Sequence, residues 1–149
     1  MSNAQTSTVP ALVVKRTFNA PRERVFQMMT KVELLRQWFG PPGSTLGDVT
    51  FDARNGGRYR IPMKMPDGED FIVGGTITEF RAPERLAYSF TWEEDDKSTE
   101  YDTFVTVDLI ERGNQTEMIF THEQLASEES RDRHAHGWDE LFNRMEALL

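Results

Sequence analysis

The sequence predicts an α+β fold in which a meander of antiparallel strands is covered by a terminal helix. Three observations carry this. From residue 44 to 122, apolar residues recur at every second position between short turn signals, which is the grammar of paired strands. Residues 134–149, HAHGWDELFNRMEALL, follow the helical period instead. With Trp138 as origin, His134, Leu141, Phe142, Met145, Leu148 and Leu149 fall in one arc roughly 120° wide. Finally, one strand and two short helical segments precede the meander, so helices and strands are segregated along the chain.

Residues 11–18, ALVVKRTF, are rich in β-branched and aromatic side chains and read as a strand that Asn19-Ala20-Pro21 ends. Pro21 opens a helix over 21–29, where its missing N–H is no loss. Val25, Phe26, Met28 and Met29 share its apolar side. A second helix follows at 31–38, with Thr30 and Glu33 in capping-box spacing. Leu34, Leu35 and Trp38 form its buried side, and Gly40-Pro41-Pro42-Gly43 stops it. The strand rows are Leu46 with Val49 and Phe51; Tyr59, Ile61, Met63; Phe71, Val73, Gly75, Ile77; Leu86, Tyr88, Phe90, Trp92; Thr103, Val105, Val107, Leu109; and Met118, Phe120, His122. Asn55-Gly56-Gly57, Pro66-Asp67-Gly68, Ala82-Pro83-Glu84, Glu93 to Ser98 and Gly113-Asn114 separate them as turns. Ser127, followed by Glu128 and Glu129, is the expected N-cap of the long final helix.

A length of 149 residues suits a single domain over 11–149 with a real hydrophobic core, preceded by a disordered tail or cloning remnant at 1–10 that includes Ser2-Asn3-Ala4. The hydrophobic fraction of 38% and charged fraction of 28% are those of a globular chain. Ten Phe, three Tyr and three Trp are many rings for this size, which implies either a large solid core or an aromatic-lined pocket. A net charge of −8 argues against nucleic acid and anionic membrane surfaces as partners. The absence of cysteine removes disulfides, thiol nucleophiles and thiolate metal sites, and fits a reducing cytoplasm. No apolar run reaches the roughly 18–20 residues that span a bilayer, so membrane insertion is not expected. Oligomeric state is open between monomer and homodimer.

No nucleophile elbow, zinc-protease helix, phosphate loop or dinucleotide fingerprint appears, so no catalytic residue, cofactor or metal is assigned. His134 and His136 lie on opposite sides of the final helix and are a poor metal pair. His122 ends an inward row and is placed to approach His134. The run Glu93-Glu94-Asp95-Asp96 reads as a solvated turn, and Glu69-Asp70 and Glu100-Asp102 as water-facing strand starts. Trp138 reads as an anchor between helix and sheet, as a cavity wall, or as both. Gly137 costs the helix about 1 kcal/mol against Ala, and close approach of a strand or Trp38 is the expected reason.

Several motifs in order resemble the activator of heat-shock protein 90 ATPase-like (AHSA-like) domains. They are R16-T-F-N-A-P21 leading to Trp38-Phe39-Gly40-Pro41; Gly56-Gly57-x-Tyr59; Met65-Pro66-Asp67-Gly68; Gly74-Gly75-Thr76; Pro83-Glu84-Arg85-Leu86; and His136-Gly137-Trp138 with Leu141. The resemblance spans about residues 11–149 and implies the helix-grip, or START-like, fold. That means a curved antiparallel sheet of about seven strands gripping the C-terminal helix, with two short helices after the first strand. It also implies a cavity between sheet and helix that holds a small hydrophobic molecule such as a lipid. The candidate ligand contacts are Trp38, Tyr59, Met63, Phe71, Tyr88, Phe90, Trp92, Phe120, His122, His134, Trp138 and Leu141. Two other readings accompany the family: a cyclase or hydrolase using the same cavity, and an interaction module that contacts a chaperone. The separate N-terminal domain of full-length eukaryotic activators has no counterpart in these residues.

Overall fold

Strand pairing follows the alternation read from the sequence. The computed structural model describes residues 9–93 and 102–149. The tail at 1–8, Glu94, Asp95, Asp96 and Glu100 lie outside the described residues. Strand β1 (Leu12–Phe18) leads into helices α1 (Arg22–Thr30) and α2 (Val32–Trp38). Then come β2 (Thr45–Leu46), β3 (Thr50–Phe51), β4 (Arg58–Lys64), β5 (Asp70–Arg81), β6 (Arg85–Glu93), β7 (Thr103–Arg112) and β8 (Gln115–Glu123). Helix α3 (Glu128–Leu148) ends the chain.

The sheet order is β1-β8-β7-β6-β5-β4-β2, with β3 also on β4. Every pairing is antiparallel. The sheet has eight strands because the two-residue β2 and β3 share β4 as partner. A register shift between Ile77 and Glu79 bends β5, the longest strand. Close strand approach also relies on glycine here. A Cβ at Gly75 would collide with the Ser89 carbonyl, the same oxygen that accepts the Tyr59 hydroxyl at 2.7 Å.

The rows from β4 to β8 pack their buried side against α3. Val73, Ile77, Val105, Met118, Phe120 and Phe142 are all at most 1% exposed. On α3 the buried stripe narrows to Trp138, Phe142 and Met145, while Leu148 is 36% exposed. Ser127 caps α3 as expected, its hydroxyl accepting the Ser130 N–H at 3.0 Å. The capping box at Thr30 does not form. Helix α1 runs on through Thr30, whose hydroxyl donates to the Phe26 carbonyl at 2.8 Å, and Lys31 becomes the N-cap of α2 without a side-chain bond.

A polar clamp fastens α3 to the outer strand. Arg16 on β1 donates to Asp139 at 2.6 Å, Asn143 at 2.8 Å and Glu146 at 3.0 Å, three residues on successive turns of α3. Its guanidinium lies 6.0 Å from the Phe142 ring centroid. The Arg16 side chain is 17% exposed, but its carboxylate partners are half in water, so each ion pair contributes little alone. Arg16→Ala is expected to lower unfolding free energy by about 1 kcal/mol. Most of that difference should vanish in molar salt when both proteins are unfolded in urea.

Candidate functional site

Sheet and helix meet in two regions of opposite character. The central region is solid. Trp138 packs on Phe120 at 4.6 Å and Phe142 at 5.8 Å between ring centroids, and Phe142 stacks on Trp38 at 6.4 Å. Trp38 is pinned by its indole N–H, which donates to the Met28 carbonyl at 2.7 Å. A void of about 30 Å³ is all that remains among these rings.

Along the side of α3 that runs from Ser127 to Arg144 the two layers part, leaving a cavity of about 570 Å³. Its sheet wall is Met63, Phe71, Phe90, Trp92, Glu93 and Thr103, from the ends of β4, β5, β6 and β7. Its helix wall runs from Ser127 and Ser130 through His134, Gly137, Trp138 and Leu141 to Arg144. The turn after α2, from Phe39 to Pro42, closes the third side. Gly40 makes that turn with φ of +105°, a conformation side chains disfavour.

Two hydrogen-bonded relays link the cavity to the core. The Trp138 indole N–H donates to His122 Nδ1 at 3.2 Å, which fixes the His122 proton on Nε2. That proton faces Thr103 Oγ1 at 2.8 Å, and the Thr103 hydroxyl donates to the Phe90 carbonyl at 2.6 Å. In the second relay, the Trp92 indole N–H donates to His134 Nε2 at 3.2 Å, and His134 Nδ1 donates to the Ser130 carbonyl at 2.8 Å. The two imidazoles meet edge-on, 5.1 Å apart, with Phe90 against both.

Both histidines are held neutral. Burial, with a smaller push from His134, lowers His122 from 6.5 to about 3. Burial also lowers His134; the Ser130 carbonyl opposes this and Arg133 adds to it. Protonating either ring would turn an indole N–H against a second N–H.

The candidate ligand contacts divide into two groups in the structure. Met63, Phe71, Phe90, Trp92, His134, Trp138 and Leu141 stand on the cavity wall. Trp38, Tyr59, Tyr88 and Phe120 sit in the packed core around the small void, with Trp138 and Phe90 bordering both regions. Burial raises the pKa of both tyrosines, and His122 is wholly buried. Trp138 is thus anchor and wall at once. Gly137 corrects its expected role: a Cβ there would meet nothing within 4 Å, because the residue opens on the cavity instead of a strand or Trp38. Arg144, Ser130 and Thr103 escape the sequence reading as wall residues. Helical spacing from Gly137 offered a signal for Arg144, two turns on. Among the described residues no group of three or more His, Asp or Glu side chains is placed to hold a metal, and no helix is long and apolar enough to cross a membrane.

The His122 relay sets a pH dependence. Because its pKa is lower in the folded protein, its stabilising effect is complete above about pH 6.5 and is lost as pH falls toward 3. His122→Asn should be less stable than the parent at pH 7, by about 1–3 kcal/mol. Urea unfolding across pH 7 to 3 should show that gap narrowing, because the variant no longer resists a buried proton.

Comparison with known proteins agrees with this architecture. The sequence matches the family profile described as Activator of Hsp90 ATPase homolog 1-like protein over residues 19–149. No curated protein matches. Among solved structures, the AHSA1 protein from Silicibacter pomeroyi superposes with a TM-score of 0.84 at 24% identity, covering 93% of this chain and 96% of that one. A protein from Chromobacterium violaceum gives a TM-score of 0.84 at 22% identity with the same coverage of both chains. The AHSA1-like protein from Aeromonas hydrophila gives 0.77 at 18% identity, covering 93% and 90%. These likenesses are of fold. The profile match begins directly after β1 and runs to Leu149, and the chain belongs to the Activator of Hsp90 ATPase homolog 1-like family.

Proposed function

We propose that this protein binds a small, largely apolar molecule between the sheet and α3. The supporting observation is the 570 Å³ cavity, whose size and mixture of large apolar walls with few polar groups are those of small-molecule sites. Met63, Phe71, Phe90, Trp92, Trp138 and Leu141 would supply dispersion contacts, and His134 and Ser130 polar ones. His122, Tyr59 and Phe120 would support the wall from behind. The lack of cysteine fits the cytoplasm as the place where this happens.

The family description names an activator of a chaperone ATPase, and docking to such a chaperone is the rival reading. An ATPase assay with the host chaperone separates the two. A cyclase or hydrolase reading is less favoured. Both His134 ring nitrogens are engaged, and Glu93 is bound through both oxygens to Arg60 at 2.9 and 3.1 Å.

A thermal-shift screen with fatty acids, sterols and aromatic polyketides should give at least one binder that raises Tm. A ligand at a hundred times its Kd adds about 2.7 kcal/mol. No shift from any class, with no adduct in native mass spectrometry, would defeat the proposal. Gly137→Ala sharpens the test. It should stabilise the free protein by about 1 kcal/mol and raise Tm by about 3 °C, since nothing opposes the methyl group. The same methyl intrudes on the cavity, so affinity for a bulky binder should fall several-fold. Equal binding by both proteins would place the ligand elsewhere.

A further inference from the structure

Resting on the ligand-binding reading, we propose that the cavity selects an amphipathic organic anion, with its acidic head at Arg144 and its apolar body along α3 toward Gly137. The charged groups on the cavity wall are Glu93, Arg133, Glu140 and Arg144, and His134 stands beside them. Glu93 is neutralised by the two-pronged bond from Arg60, which also holds its carboxyl below the usual range. Arg133 reaches Glu129 at 3.7 Å, with both side chains largely in water. Glu140 reaches His136 at 3.7 Å on the outer side of the helix. His134 is neutral through its relay. Arg144 differs from all of these. Among the described residues no carboxylate lies within 4.0 Å of it. Its Nη1 donates to the Trp38 carbonyl at 3.0 Å and the Gly40 carbonyl at 2.8 Å, two neutral acceptors at the end of α2 and in the turn after it.

Those bonds fix the guanidinium on the wall without cancelling its charge. A half-buried cation facing an apolar cavity gains most from an anion that brings its own hydrocarbon. The spacing defines the rest of the molecule. Gly137 and Arg144 are seven residues apart on one helix face, about 10 Å along the axis, with Leu141 between them. Phe71, Trp92 and Phe90 face that strip from the sheet. The occupant fitting this strip has one acidic end, a carboxylate or sulfonate, and a flat or flexible apolar body of about 10 Å.

Two fluorescent probes that differ only in the acidic group test this directly. 1-Anilinonaphthalene-8-sulfonate carries the anion, and N-phenyl-1-naphthylamine is the same ring system without it. The sulfonate should bind the parent protein at least tenfold more tightly. Arg144→Gln should lose about tenfold for the sulfonate, the size of one charge-assisted bond, and stay within about twofold for the neutral probe. Arg144→Lys should recover part of the loss. Glu140→Gln, which touches neither carbonyl of α2, should strengthen sulfonate binding several-fold. It keeps the test open should Arg144→Gln unfold, a failure that would show as increased emission with both probes. Equal affinity for the two probes, or no response to either charge change, overturns the anion proposal and leaves the cavity reading intact. Failure of both probes to bind the parent also overturns the anion proposal, while the ligand screen decides the cavity reading.

Discussion

The hydrogen bond from the Trp138 indole to His122 fixes how far the helix stands from the sheet. At 3.2 Å it ties α3 to β8 through two buried rings, and Phe120 and Phe142 close around the same indole. An indole buried this deeply needs a partner for its N–H. His122 can serve only while neutral, and the same burial keeps it neutral. Stability and geometry therefore rest on one contact. Along the stripe of Trp138, Phe142 and Met145, α3 follows the sheet closely, helped by the Arg16 clamp beside it. Along the neighbouring side, from Ser127 to Arg144, the layers part, and the cavity occupies the difference.

This arrangement gives the cavity a packed back wall and a more exposed front. Phe90 touches Trp138, His122, His134 and Trp92, so the core continues without a break into the cavity lining. Trp92 and His134, by contrast, are joined across the layers by a single side-chain hydrogen bond near half-exposed Phe71. Gly137 leaves the helix wall flat where it faces the cavity. The proposed ligand would meet packed rings at the back and the Trp92–His134 hydrogen bond at the side.

The alternating rows in β4 to β8 were readable because the sheet pairs without slippage over most of its length, so parity along each strand survives as facing in the fold. The α3 stripe was readable for the same reason at a period of 3.6. Parity, however, reports direction and carries no distance. Phe120 and Phe71 belong to equivalent rows, yet one lies in solid core and the other on the cavity rim. What separates them is how the curved sheet and α3 diverge, a property of the whole assembly. Thr30 misled because a capping motif matters only where the preceding helix has stopped. Arg16, Arg144 and the two indole relays join residues far apart in the chain, and no local pattern marks such partners. Gly137 was conspicuous as a helix glycine, but its reason is open space, which no sequence pattern reports.

Core and cavity are distinct compartments joined at Trp138. The three indole N–H signals in a 15N–1H correlation spectrum report on them separately: Trp38 in the core, Trp138 at the junction and Trp92 on the cavity wall. Titration with 1-anilinonaphthalene-8-sulfonate should move the Trp92 signal most, Trp138 less, and leave Trp38 in place. Equal movement of all three, or a bound probe that leaves Trp92 untouched, would contradict the claim.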